Sequence, residues 1–150
     1  MIYRKFAKRL IDLILSITLL LITLPIFIIV MVICCISFSG KIFFVQQRIG
    51  KNEVVFNILK FITMRPVKFE APGNTESSRI PKIGRILRIL SLDELPQLIN
   101  IIKGDMSLIG PRPLLVKYLS FYRPHEKIRH SVRPGITGLA QIKGRNNLSW

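Results

Sequence analysis

Residues 13 to 40, LILSITLLLITLPIFIIVMVICCISFSG, are 28 consecutive positions without a charge. As one straight α-helix at ~1.5 Å per residue, they would exceed the ~30 Å apolar core of a bilayer. Pro25 lies near the centre of the run. It has no N–H to offer the carbonyl of Leu21, and its ring crowds that turn, so a kink or break is predicted there. The Thr23 hydroxyl is placed to satisfy a freed carbonyl, which lets a break survive in lipid. Each half, about twelve residues or ~18 Å, is too short to cross alone. The stretch is also too long for a cleaved signal peptide, and no small-residue cleavage site follows it.

The flanks are basic on both sides: Arg4, Lys5, Lys8 and Arg9 before the run, Lys41, Arg48 and Lys51 after it. The positive-inside rule gives a spanning helix no orientation from such flanks, but is satisfied if both ends stay on the cytoplasmic side. Two readings stand on these residues: a re-entrant hairpin dipping into one leaflet, and an ordinary proline-kinked transmembrane helix. Cys34 and Cys35, the only cysteines, are adjacent in the apolar run and read as packing residues rather than as a disulfide framework or metal site.

After the run, IFFVQQR (42–48) and VVFNILKF (54–61) are β-branched and aromatic and flank a glycine turn, the pattern of a β-hairpin. PVKFEAPGNTESS (66–78) reads as a loop. In RIPKIGRILRIL (79–90), Ile83, Ile86, Leu87 and Leu90 recur at helical spacing beside Lys82, Arg85 and Arg88, with Pro81 in the first turn. This short basic amphipathic helix is either interfacial, with its arginines on lipid phosphates, or a core helix with a solvated basic face. A further helix is predicted over 91–103, with Ser91 and Glu94 at capping-box spacing and Gly104 as its C-cap. GPRP (110–113) and RPGITG (133–138) read as irregular, and one more helix is expected within 114–132.

The chain carries 23 basic residues against eight acidic ones, a net charge of +15, which points to anionic partners. Its 49% hydrophobic content excludes disorder. Two of the eight acids, Asp93 and Glu94, stand side by side in the first turn of the 91–103 helix. There they either complement the helix dipole or do chemistry. Their surroundings favour chemistry. Arg112 is fixed between Pro111 and Pro113, a stiff mount for a guanidinium that matches phosphate oxygens. Gly135 and Gly138 permit close backbone approach to a ligand. Lys60, Lys143 and Arg145 add positive charge. Phosphoryl transfer needs such parts: a divalent metal on one or two carboxylates, cations around phosphates, and a nucleophile, which an ionised aspartate supplies. No Walker motif, zinc spacing or dinucleotide loop is present. His125 and His130 read as surface residues. Nucleic-acid partners are not expected, since basic–aromatic interleaving and known motifs are missing.

Over nearly its whole length, the sequence resembles the bacterial sugar transferases, the monotopic phosphoglycosyl transferases in their small single-domain form. The basic N-terminus and proline-broken segment, FFVQQRIG, LKFITM, IGRILR, SLDELPQLINIIKGDMSLIGPRPLL and RPGITGLAQIKGRN occur in the family's order. The resemblance implies an α-rich α+β monotopic membrane protein on the cytoplasmic face of the bacterial inner membrane. Residues 1–40 would form a re-entrant helix-break-helix hinged at Pro25. Residues 41–150 would form the catalytic domain, with a β-hairpin, amphipathic interfacial helices and a loop-rich site. The implied substrates are a UDP-sugar, with a lean toward N-acetylated amino sugars, and polyprenyl (undecaprenyl) phosphate; the products are polyprenyl-diphosphate-sugar and UMP. Mg²⁺ is the implied cofactor, at Asp93 and Glu94, and inner-leaflet phospholipids the surroundings. Asp93 would be the nucleophile, Glu94 its partner at the metal or as base, and Arg112, with Lys60 and Arg145, the phosphate ligands.

The sequence departs from the pattern at Ile62, usually basic, at Leu139, usually Trp, and at Pro81, where Thr is common. The family's pattern also continues past NNLSW, so a C-terminal part is expected to be missing. Two other function classes compete: a membrane-tethered basic binding module, and an inactive fragment acting as a scaffold.

Overall fold

The computed structural model of the chain describes residues 6–65 and 79–143. The loop expected over 66–78, together with Arg4, Lys5 and Arg145, lies outside those residues. The apolar run forms two helices, α1 (Lys8–Ile22) and α2 (Leu24–Ser37), which meet at Thr23 and are bent by 65°. Among the described residues no single helix is long and apolar enough to cross a membrane; only this bent pair has the combined length and composition. Pro25 lies in the first turn of α2, where a missing N–H costs nothing, so the break falls two residues before it. Both the N–H and the hydroxyl of Thr23 donate to the Leu19 carbonyl, at 2.9 and 2.7 Å. The hydroxyl thus bonds a carbonyl that already has its helical partner, whereas the sequence reading expects one that Pro25 frees.

The two helices are apolar on the outside. α1 buries Asp12 and Ser16 and exposes Leu10, Ile14, Leu15, Ile17 and Leu21; α2 exposes Ile28, Ile29, Val32 and Ile36. Phe27, Val30 and Cys34, at helical spacing along α2, are buried, with Met31 partly buried against the same core. Cys34 packs in the core and Cys35 is exposed on the outer face. Water penalises so large a continuous apolar surface, whereas lipid does not.

A polar seam fixes α1 to the rest of the chain. The Asp12 carboxylate accepts from Lys8 at 3.1 Å, from the Ser107 hydroxyl at 2.8 Å and from the Leu108 N–H at 3.2 Å. Arg9 donates to the carbonyls of Ile101 and Ile102 at 2.6 and 2.9 Å, closing the C-terminus of a later helix where a cation is favoured. Lys8 and Arg9, which the sequence presents only as a basic flank, are thus internal fasteners. Asp12→Ala removes an acceptor shared by three donors and should lower stability by about 3 kcal/mol. Asp12→Asn, which keeps one acceptor oxygen, should lose less; thermal unfolding in detergent measures both.

The hairpin forms as the alternation predicts. β1 (Phe43–Ile49) pairs antiparallel with β2 (Val55–Phe61), with Phe43 opposite Phe61 and Arg48 opposite Phe56. Phe27, Phe43 and Phe61 join it to α2, with ring centroids 4.9 to 6.4 Å apart. α3 (Lys82–Ile89) follows, burying Gly84 and Leu87 and exposing Ile86, Ile89 and, just beyond it, Leu90. Arg88 does not point to solvent; its Nε donates to the Thr63 hydroxyl at 2.9 Å.

The helix predicted over 91–103 is two pieces, a 3₁₀ turn at Leu92–Glu94 and α4 (Gln97–Lys103). Ser91 is left-handed at φ 56° and makes no capping bond with its side chain, so the expected capping box does not form. Gly104 does end α4, at φ 102°. RPGITG is not irregular: β4 (Gly135–Thr137) pairs parallel with β3 (Ser107–Ile109), a sheet too short for period-two alternation to reveal. The helix expected within 114–132 is two 3₁₀ segments, Val116–Phe121 and Glu126–Ser131, and α5 (Leu139–Lys143) closes the described chain. His130 is buried edge-on against Tyr122 at 5.2 Å rather than exposed.

Candidate active site

Pairing in an antiparallel hairpin puts opposite residues on one face, and residues two apart along a strand share that face. Ile58 and Lys60 of β2 and Arg48 of β1 therefore project to the same side. The 3₁₀ turn and α4 lie against it. Asn100 of α4 holds the two parts in register: its Oδ1 accepts from the Leu59 N–H at 2.9 Å and its Nδ2 donates to the Asn57 carbonyl at 2.8 Å. Sequence reading gave Asn100 no role. A buried amide inside an apolar helix stripe is the signal that marks it.

With that register set, Lys60 Nζ meets Glu94 Oε1 at 2.6 Å, both side chains under one-fifth exposed at 19% and 17%. Between this pair and the Arg112–Pro113 segment lies a small open cleft. Arg48, Lys60, Glu94, Gln97, Arg112, Pro113 and Gly135 line it. The structure thus unites Lys60, Glu94, Arg112, Pro113 and Gly135 from the sequence-predicted set and adds Arg48 and Gln97. Pro25 lies apart in the membrane segment and Pro111 borders a second cleft. The Arg112 backbone is held from two sides. Arg48 Nη1 donates to the Pro113 carbonyl at 3.3 Å, and Arg129 Nη2 donates to the Arg112 carbonyl at 3.0 Å.

Asp93 is not among the residues lining the cleft and is 9% exposed. Burial pushes its pKa above the ordinary carboxylate value; Lys60 and Arg88 oppose that shift, and Glu94 reinforces it. Glu94 faces the cleft, whereas Asp93 is the desolvated member of the dyad. Gly135 and Gly138 make their close approaches to the backbone of Gly110 rather than to a ligand space, and of the two only Gly135 lines the cleft. Ile62, where the resemblance expected a basic residue, belongs to the apolar core with Cys34 and Phe61. Leu139, in place of the expected Trp, is exposed.

Among the described residues, no group of three or more His, Cys, Asp and Glu side chains is gathered to hold a metal. Two adjacent carboxylates, one of them facing the cleft, still match the way magnesium is held, by one or two carboxylates with phosphate oxygens and water completing the shell.

A buried carboxylate thus stands beside a cation-rich cleft. Residues 3–150 match the bacterial sugar transferase family. The chain belongs to that family. It is 46% identical to an uncharacterized sugar transferase, EpsL, of Bacillus subtilis strain 168, over 95% of this chain and 71% of that protein. It is 39% identical to the exopolysaccharide production protein ExoY of Sinorhizobium fredii, over 96% of this chain and 72% of that one. It is 37% identical to a UDP-glucose:undecaprenyl-phosphate glucose-1-phosphate transferase of Escherichia coli K12, over 93% of this chain and 32% of that longer protein.

Lys60 ties the dyad to the cleft electrostatically. Lys60→Met leaves Glu94 without its cation and removes the strongest influence that lowers the Asp93 pKa. The fold should lose about 1–3 kcal/mol, less than for a fully buried pair. The Asp93 pKa should move further up, so the acid limb of the kcat/KM profile should shift to higher pH.

Proposed function

We propose that this bacterial sugar transferase moves a sugar-1-phosphate from a UDP-sugar to polyprenyl phosphate, releasing UMP, at the cytoplasmic face of the bacterial inner membrane. The observation that carries this reading is the dyad beside a cleft holding three cations and one carboxylate: Arg48, Lys60 and Arg112 against Glu94. A diphosphate neutralises such a cleft. The relatives that act on undecaprenyl phosphate support the acceptor.

The ionised Asp93 carboxylate attacks the sugar-bearing phosphorus. A bond forms from Asp93 oxygen to phosphorus, and the bond to the bridging oxygen breaks with its electrons going to UMP. The polyprenyl phosphate oxygen then attacks the same phosphorus and the Asp93 carboxylate departs, restored. No base is needed, because both nucleophiles are anions. Lys60 favours ionised Asp93 and, with Arg112, offsets the phosphate charge that would repel it. Bound Mg²⁺, held by Asp93 and Glu94, would supply further neutralisation of the phosphates. Residues 1–40 form the membrane-embedded part and 41–150 the catalytic part. A re-entrant placement of α1 and α2 suits their outward apolar faces, their 65° bend and the seam that returns α1 to β3. The exposed Ile86 and Ile89 of α3, and Leu90 at its end, would rest in the same leaflet.

One observation favours a second assignment with the dyad's roles exchanged: Glu94, not Asp93, lines the cleft. The test is incubation in detergent with UDP-sugars, polyprenyl phosphate and Mg²⁺, measuring UMP and locating the trapped phosphosugar ester by peptide mass spectrometry. An ester on Asp93 supports Asp93 as the nucleophile; an ester on Glu94 supports the exchange. No turnover, with salt-sensitive lipid binding only, would replace both with a membrane-tethered binding module.

A further inference from the structure

Arg48 is not explained by the hairpin alone. It is partly buried. Nη1 is on the Pro113 carbonyl and Nη2 on Gln46 Oε1 at 2.6 Å, while its buried Nε has no hydrogen-bond partner in the protein. Arg112 lines the same cleft, close enough that the two like charges oppose each other. Among the described residues no carboxylate pairs with either guanidinium, and the one carboxylate in the cleft, Glu94, is held by Lys60. Two cations brought together without a counter-ion are costly, and an anion bridging them removes that cost. Arginine is suited to it, since its planar fork meets two phosphate oxygens at once and is the more weakly hydrated cation.

The surroundings select the kind of phosphate. Arg48 has Tyr118 as an electrostatic neighbour. Tyr118 lines a wider second cleft with Pro111, Phe121 and Tyr122, on the same proline segment that carries Arg112. Aromatic rings with a polar edge fit a flat nucleoside better than a branched isoprenoid chain. We propose that Arg48 and Arg112 form a paired-guanidinium site for the phosphate of the departing nucleotide, UMP, with its nucleoside in the aromatic cleft beside it. This rests on the proposed transfer reaction, and it assigns the pair to the leaving group rather than to the lipid acceptor.

The test is calorimetric binding of UMP and of geranyl phosphate to the whole chain in detergent, with EDTA present so that no cation bridges. Arg48→Gln should weaken UMP about 10- to 100-fold. Arg48→Lys, which keeps the charge but not the fork, should weaken it less, and geranyl phosphate should change under about threefold in both. Thermal unfolding of both variants accompanies the titrations, and Arg48→Lys carries the test if Arg48→Gln is unstable. Unchanged UMP affinity overturns the proposal. Equal losses for the two ligands also overturn it, because loss of the Pro113 anchor alone would weaken both alike. If the wild-type chain releases no UMP from a UDP-sugar with polyprenyl phosphate and Mg²⁺, the transfer reading fails whatever Arg48 does. If UMP binding ignores Arg48 while Asp93→Asn is inert, only the paired site fails.

Discussion

Asp93→Asn should abolish UMP release, by at least about a thousandfold, while making the fold more stable at neutral pH. The first half follows from nucleophilicity, since an amide oxygen does not displace a phosphate ester. The second follows from burial. Desolvation raises the folded-state pKa of Asp93 above its unfolded value. A group raised in this way favours the fold when protonated and costs stability as pH rises through the raised value. At pH 7 the wild type therefore carries a desolvated carboxylate that asparagine lacks. Unfolding scans should show the variant's advantage at neutral pH. It should shrink as pH falls through the raised pKa and vanish near the ordinary aspartate value. The same protonation should silence the wild-type enzyme, placing the acid limb of its kcat/KM profile above the usual carboxylate range. A variant that is inert and less stable at pH 7 would mean that Asp93 holds the turn together rather than paying in stability for reactivity.

The parts of the candidate site were legible in the sequence where they rest on local pattern. The DE pair, the stiff Pro-Arg-Pro mount and the hairpin alternation each follow from a few adjacent residues. Lys60, Glu94 and Arg112 then meet in one cleft. What sequence could not supply was the partner of each polar group in the apolar regions. Asp12 stands one residue before the uncharged run, and nothing nearby announces that Ser107 and Leu108 answer it from 95 and 96 residues away. Asn100 looks like an interruption in a stripe until β2 is placed against it. Arg48 was legible only as a basic flank, because its role depends on a strand register and on a proline segment 65 residues later. His130 was misplaced for the same reason: a basic surrounding sequence says nothing about the Tyr122 ring that covers it. The β3–β4 sheet was missed because three-residue strands carry no periodicity, and long-range pairing alone creates them.

That small sheet gives the second large effect. Gly135→Ala should cost about 3 kcal/mol or more and should reduce transfer in whatever protein still folds. A Cβ on Gly135 would collide with the backbone nitrogen of Gly110 and lie 2.6 Å from the Thr137 carbonyl oxygen. These are backbone atoms in a sheet, fixed by Gly135 N–H on the Pro111 carbonyl at 3.0 Å and Gly110 N–H on the Thr137 carbonyl at 2.9 Å. No flexible side chain is there to move aside. Relief has to come from sliding β4 away from Gly110, and the adjoining Pro111–Pro113 segment moves with it, taking Arg112 out of the cleft. Gly40→Ala is the matched control. It sits at φ 83°, which an L side chain resists, yet a Cβ there meets nothing within 4 Å. That substitution should cost only about 1 kcal/mol of backbone strain and leave the site undisturbed. Thermal unfolding and UMP release on both variants separate the two causes. A loss in Gly135→Ala no larger than that in Gly40→Ala would mean that the β3–β4 contact is looser than the distances around Gly110 require.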